Sequence, residues 1–146
     1  MKKLILIFIF LTSINLNAQC DLSLDTILKS YNLNDSDFET YFLSRGYEYI
    51  PEVKKMVCLD ENYNVVNLIQ KSFSNNTIIN YNTFSKSNYI QLKTDVVNLD
   101  FKYVRKEETE KSTSYFYSKG NVLIILNTDF SSPDRVAYSL ALGLIQ

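Results

Sequence analysis

The 146-residue chain has no histidine and no tryptophan, and carries two cysteines, two prolines and three glycines. Without histidine there is no Ser-His-Asp or Cys-His catalytic group and no imidazole metal ligand. Two cysteines, Cys20 and Cys58, are too few for a zinc ribbon or an iron–sulfur site. Gly46, Gly120 and Gly143 lie too far apart to form a phosphate-cradling loop. An excess of one charge sign is lacking too, with 15 basic against 16 acidic side chains. The densest cluster, from Lys102 through Arg105 and Glu108 to Lys111, mixes both signs, so the basic stripe that phosphate backbones need is missing and nucleic acid is not an expected partner. No cofactor or metal is expected either.

Apolar residues make up 46% and aromatics 14%, too many for a disordered or low-complexity chain. Met1-Lys2-Lys3, the apolar run from Leu4 to Leu11 and a polar stretch ending in Asn17-Ala18-Gln19 have the form of a secretory signal peptide, residues 1–18. That run is far shorter than the about 20 residues of a membrane-spanning helix. Residues 19–146 then form a single domain, long enough to bury roughly two-thirds of its unfolded surface. The expected destination is the periplasm or the extracellular space, where the compartment is oxidising and Cys20 and Cys58 are expected to form a disulfide. Closing so long a segment contributes about 4 kcal/mol in the chain-entropy treatment. Lipidation of Cys20 is the competing fate, because a lipoprotein cysteine also follows the apolar run. Gln19 stands where such proteins carry a small residue, and a thioether at Cys20 would exclude the disulfide.

Leu24, Ile27, Leu28 and Tyr31 recur at helical spacing. Ser36-Asp37-Phe38-Glu39 has the form of a capping box with Ser36 as N-cap, opening a helix that carries Phe38, Tyr41 and Phe42 and stops near Gly46. Glu39 and the aspartates at 35 and 37 also resemble a loose calcium cluster, but capping accounts for them without a metal. Strands are expected at Tyr47–Ile50, Lys55–Leu59, Val65–Phe73 and Thr77–Phe84, and again at Tyr103–Glu107, Thr113–Ser118, Asn121–Thr128 and Arg135–Ile145. Between the two sets, an amphipathic segment from about Tyr89 to Phe101 presents Leu92, Val96 and Leu99. Ser74-Asn75-Asn76 and Ser118-Lys119-Gly120-Asn121 are hairpin signals.

The chain is faintly similar to itself at an offset of about 57 residues. Asn64-Val65-Val66-Asn67-Leu68-Ile69 lies over Asn121-Val122-Leu123-Ile124-Ile125-Leu126, Ile79 over Val136, Tyr81 over Tyr138 and Leu59 over Phe116. Helix and strands recur in the same order, which gives an internal repeat at about 24–84 and 87–145. The expected fold class is α+β: an antiparallel sheet of six to eight strands with two or three helices on one face, in two tandem α-β units. A secretory signal followed by such units resembles the beta-lactamase inhibitor protein architecture and small secreted bacterial proteins that share this order of elements. The resemblance covers element order only. It implies a sheet with an open face for a protein partner, and it carries no functional residue across.

Tyrosine is the conspicuous surplus, with 11 in the chain. Tyrosine suits protein interfaces because it buries area while keeping a polar tip. Tyr115 and Tyr117 share one face of a strand and are the candidate partner-binding residues. The plainer account of both is that they fill a half-buried sheet, where their β-propensity is welcome. In the last strand, Tyr138, Leu140, Leu142 and Leu144 alternate with Ala137, Ser139, Ala141 and Gly143, giving one bulky face and one small face that permits close approach. The expected function is an exported, non-catalytic protein-binding module such as an inhibitor, an immunity-type factor or an envelope assembly component. The rivals are a carboxylate-based hydrolase of envelope glycans, needing two of Asp60, Glu61, Asp95, Asp100 and Asp129 in one cleft, and a small-ligand carrier with an enclosed apolar cavity.

Overall fold

The computed structural model describes residues 20–73 and 77–145. The expected signal segment and the turn expected at 74–76 lie outside the described residues. A polar side chain opens each helix by accepting a backbone N–H. Ser23 accepts from Thr26 at 3.2 Å and starts α1 (Leu24–Tyr31). Asn34 accepts from Asp37 at 2.9 Å and starts α2 (Asp35–Leu43). Ser85 accepts from Asn88 at 3.1 Å and starts α3 (Lys86–Asn98).

The cap of α2 corrects the expected capping box: it is Asn34, and Ser36 falls inside the first turn. Asparagine caps as well as serine, and Asn34 also donates its Nδ2 to Asp37 Oδ2 at 2.8 Å, a second tie that Ser36 lacks. The helix stops are alike in the two halves. Gly46 (φ 80°) follows α2 and Asp100 (φ 62°) follows α3. In each case the next residue, Tyr47 or Phe101, is a buried aromatic whose N–H returns to a helix carbonyl, that of Phe42 or Val96, at 3.1 Å. A left-handed residue followed by a buried apolar anchor is a common way to end a helix. Asp100 ends α3 short of the expected Phe101, since aspartate tolerates the left-handed region better than most side chains.

The strands are β1 (Glu48–Ile50), β2 (Lys55–Leu59), β3 (Val65–Phe73), β4 (Thr77–Thr83), β5 (Lys102–Glu108), β6 (Ser112–Lys119), β7 (Val122–Asp129) and β8 (Ala137–Leu144). They form one antiparallel sheet in the order β1-β2-β3-β4-β8-β7-β6-β5. The fold is α+β, with the three helices on one face. Two four-stranded meanders, each preceded by helix, meet at their last strands β4 and β8. Lys119 pairs with Val122 around Gly120 (φ 58°), the positive angle that the hairpin signal requires.

Under the helices, one cross-strand row reads Met56, Ile69, Tyr81, Leu140, Leu126, Tyr115. By position in this row, Ile69 stands in β3 of the first meander where Leu126 stands in β7 of the second. Met56 answers to Tyr115 and Tyr81 to Leu140, two positions along from the pairs read off the sequence offset. Leu24 and Ile27 of α1, Phe38 and Phe42 of α2, and Leu92 and Val96 of α3 cover the row and its neighbours. Each such side chain contributes about 1.5–3 kcal/mol by leaving water.

The start of the described chain is fastened to this core. Cys20 and Cys58 form a disulfide with Cα atoms 6.0 Å apart. The Cys20 carbonyl also accepts from Tyr47 Oη at 2.7 Å and Asn67 Nδ2 at 2.6 Å. Asn88 Nδ2 donates to the Leu22 carbonyl at 3.1 Å, and Tyr81 Oη donates to Asn88 Oδ1 at 2.7 Å. Burial pushes the Tyr47 and Tyr81 hydroxyls above the usual tyrosine pKa.

Candidate binding face

Strand alternation sends the other half of each strand's side chains away from the helices. In the last strand this sorts bulky from small: Leu140 and Leu142 are buried under the helices, while Ser139, Ala141 and Gly143 point to the open side. Across that side, one row reads Leu68, Asn82, Ser139, Asn127, Ser114, Glu107, and the next reads Gln70, Asn80, Ala141, Ile125, Phe116, Arg105. The middle of the face is therefore uncharged, with the small Ser139 and Ala141, the amides of Asn80, Asn82 and Asn127, and the bulky Ile125 beside Ala141. Ser114 Oγ donates to Asn127 Oδ1 at 2.9 Å, which holds that amide in one orientation.

Cation–aromatic contacts bound the face. The Arg105 guanidinium lies 3.9 Å from the Phe116 ring centroid, and its Nε contacts Glu107 at 2.7 Å. The Arg135 guanidinium lies 3.3 Å from the Phe84 ring centroid and donates to the Val65 carbonyl at 3.3 Å. Phe116 on β6 and Val57 on β2 are buried on this side; Phe84 and Val65 remain partly exposed. The face thus combines one fixed amide at Asn127, small residues along the last strand and aromatic groups at its edges.

Tyr115 and Tyr117 lie on the opposite, helix-covered side. Tyr117 is 8% exposed and packs edge-on against Tyr103, with ring centroids 5.9 Å apart. Tyr115 is half-buried, with the Lys93 ammonium 4.3 Å and the Lys106 ammonium 5.6 Å from its ring centroid. Both tyrosines stand in the packing layer. Their neighbours Ser114 and Phe116, which sequence reasoning did not single out, point to the other side of the sheet, where Phe116 is buried beneath the Arg105 guanidinium. The small side of the last strand was the available signal for that side.

The five candidate acids are occupied separately. The Asp60 carboxylate accepts the N–H groups of Asn64 and Asn62, both at 2.8 Å; those bonds, that from Asn64 foremost, hold its pKa below the usual range. Asp95 accepts the Leu24 N–H at 3.1 Å and Gln91 Nε2 at 2.7 Å. Asp100 is the left-handed stop of α3. Asp129 accepts from Ser131, whose hydrogen bonds lower its pKa. Glu61 sits exposed in the β2–β3 turn. None of the five lines the cavity beside α2 or the apolar notch between Leu28 and Leu144. Among the described residues no three histidine, cysteine or acidic side chains gather as a metal-binding group, and no helix is long and apolar enough to cross a membrane.

No family model, curated protein or solved structure matches this chain.

Proposed function

We propose that the chain is an exported, non-catalytic protein-binding module that holds a protein partner of the cell envelope on the open face of its sheet. The observation that carries this reading is the sorting in β8: Leu140 and Leu142 are buried under the helices, and the small residues Ser139 and Ala141 come to the middle of the other side. Small central residues let a partner's backbone or a flat side chain approach closely. The fixed Asn127 and Ser114 supply directional hydrogen bonds beside them. The Cys20–Cys58 disulfide supports an oxidising compartment, either the periplasm or the extracellular space.

The test is capture from an envelope extract with the oxidised mature protein, repeated with Ser139→Tyr and Ala141→Lys. Neither position is in the helix-covered core, so both variants should melt like the parent. Each should weaken capture of the same partner at least about tenfold, the effect of roughly 1.4 kcal/mol lost at the centre of an interface. A captured protein that binds both variants with parental affinity would overturn the assignment of the face.

A further inference from the structure

The two edges of the sheet are unlike. β1 is three residues long, a length that blunts an edge. β5, at the other edge, has seven residues, all of them exposed, Tyr103 and Val104 included. Its bulge falls between Tyr103 and Arg105 and leaves Arg105 to Glu108 in regular register with β6.

Hydrogen-bond alternation fixes which backbone groups of β5 turn outward. The Thr109 N–H donates to the Ser112 carbonyl at 2.9 Å, so Thr109 faces β6. Antiparallel alternation then turns Glu107 and Arg105 toward β6 as well, and turns the N–H and C=O of Lys106 toward the free edge. The charges along the strand are ordered: Lys102, Arg105 and Lys106 come first, Glu107 and Glu108 last. Charge of one sign would protect the edge by repelling a copy of itself. A strand that is basic first and acidic last attracts its own copy laid antiparallel.

We propose that β5 pairs with the β5 of a second copy of this chain, antiparallel about a two-fold axis at Lys106. The two Lys106 residues exchange N–H···O=C bonds across the axis, and each Arg105 stands opposite the Glu107 of the other copy. Arg105 and Glu107 already form an ion pair within the strand, at 2.7 Å. The second copy brings the same pair in reverse, so four charges alternate on the open side. The two Lys106 ammonium groups are drawn away from the axis on the helix side. Each is tied to its own Glu108 and lies 5.6 Å from its own Tyr115 ring centroid. An axis at Arg105 or at Glu107 would instead oppose like charges on the open side and break the alternating pairs. The two sheets become continuous, with their open faces side by side. This pairing does not depend on what the open face holds. Seven residues a side bury less than the about 1,200 Å² of the smallest standard interfaces, so the dimer is a weak one, half-formed on the order of 100 μM.

The experiment is sedimentation equilibrium of the oxidised mature protein from about 10 μM to about 1 mM, read beside amide hydrogen exchange. The parent should pass from monomer to dimer across that range. The Lys106 amide should exchange more slowly as it does, while those of Arg105 and Glu107, already turned to β6, hold their rates. Glu107→Arg and Arg105→Glu should each weaken the dimer at least about tenfold, because each sets like charges opposite one another across the axis. An equal mixture of the two variants should restore it, since one supplies only arginine and the other only glutamate to the same pairs. Should either variant fail to fold, the concentration dependence of Lys106 exchange in the parent decides. The proposal is overturned by a parent still monomeric at about 1 mM, by single variants that dimerise like the parent, by a mixture no tighter than its components, or by a dimer in which the Lys106 amide keeps its monomer rate.

Discussion

Replacing Cys20 with serine isolates what the disulfide contributes, because Cys20 is only half-buried whereas Cys58 is 1% exposed. The substitution removes the bond without hollowing the core. The bond spans a sequence separation of 38, for which loop-closure entropy predicts about 4 kcal/mol. That is a large share of the about 5–15 kcal/mol that a domain of this size commands. The hydrogen bonds from Tyr47 and Asn67 go to the Cys20 backbone oxygen and so survive the change, each contributing about 1 kcal/mol. Cys20→Ser should therefore keep its fold and lose about 4 kcal/mol in urea unfolding. Its m-value should rise, because the uncrosslinked unfolded chain exposes more surface. Cys58→Ala should lose about 1 kcal/mol more for the buried sulfur. The double variant should match Cys58→Ala, since one bond is lost only once. A Cys20→Ser midpoint within about 0.5 kcal/mol of the oxidised parent would refute the entropy argument. Intact mass, lower by two hydrogens than that of the reduced protein, verifies that the parent was oxidised.

Stability should fall at alkaline pH: Tyr47 and Tyr81 are raised by burial, so their contribution is intact below the unfolded pKa near 10 and is lost as pH climbs above it. The two together give a slope approaching about 2.7 kcal/mol per pH unit, partly offset below about pH 10.5 by Lys71, whose pKa burial lowers. Tyr89 and Tyr117, also raised by burial, add to the slope; urea midpoints across that range, with Tyr47→Phe expected to remove up to about 1.4 kcal/mol per pH unit, check it, and a flat parental profile would refute it. Asn34→Ala should cost about 1 kcal/mol and Ser36→Ala far less, and equal losses would return the cap to Ser36. Tyr117→Ala should cost about 3 kcal/mol as a core truncation, whereas Ser139→Tyr should leave the melting temperature nearly unchanged. A large melting shift in Ser139→Tyr alone would reverse the assignment of the two faces.

Much of the fold is legible in the chain because its signals are local. The alternation in Lys55–Leu59 and Val65–Phe73 yields β2 and β3 at those same limits. Leu24, Ile27 and Tyr31 yield α1, and Ser118-Lys119-Gly120-Asn121 yields the hairpin between β6 and β7. The capping-box pattern pointed to Ser36 for the α2 cap, whereas Asn34 holds it, because a three-residue pattern does not see where the backbone turns helical. The stop at Asp100 was hidden for a similar reason, since only the buried Phe101 ring and its bond to Val96 single that aspartate out.

Periodicity also divided each strand into two faces, because successive side chains must point to opposite sides whatever the neighbours are. It could not say which face the helices would take. That depends on how two meanders meet at β4 and β8 and on where α1, α2 and α3 land, contacts between residues far apart in the chain. Tertiary packing alone placed Tyr115 and Tyr117 beneath Lys93 and beside Tyr103, and left Ser139, Ala141 and Asn127 on the open side. Alternation is a property of the backbone, whereas burial belongs to whatever surface arrives to cover it.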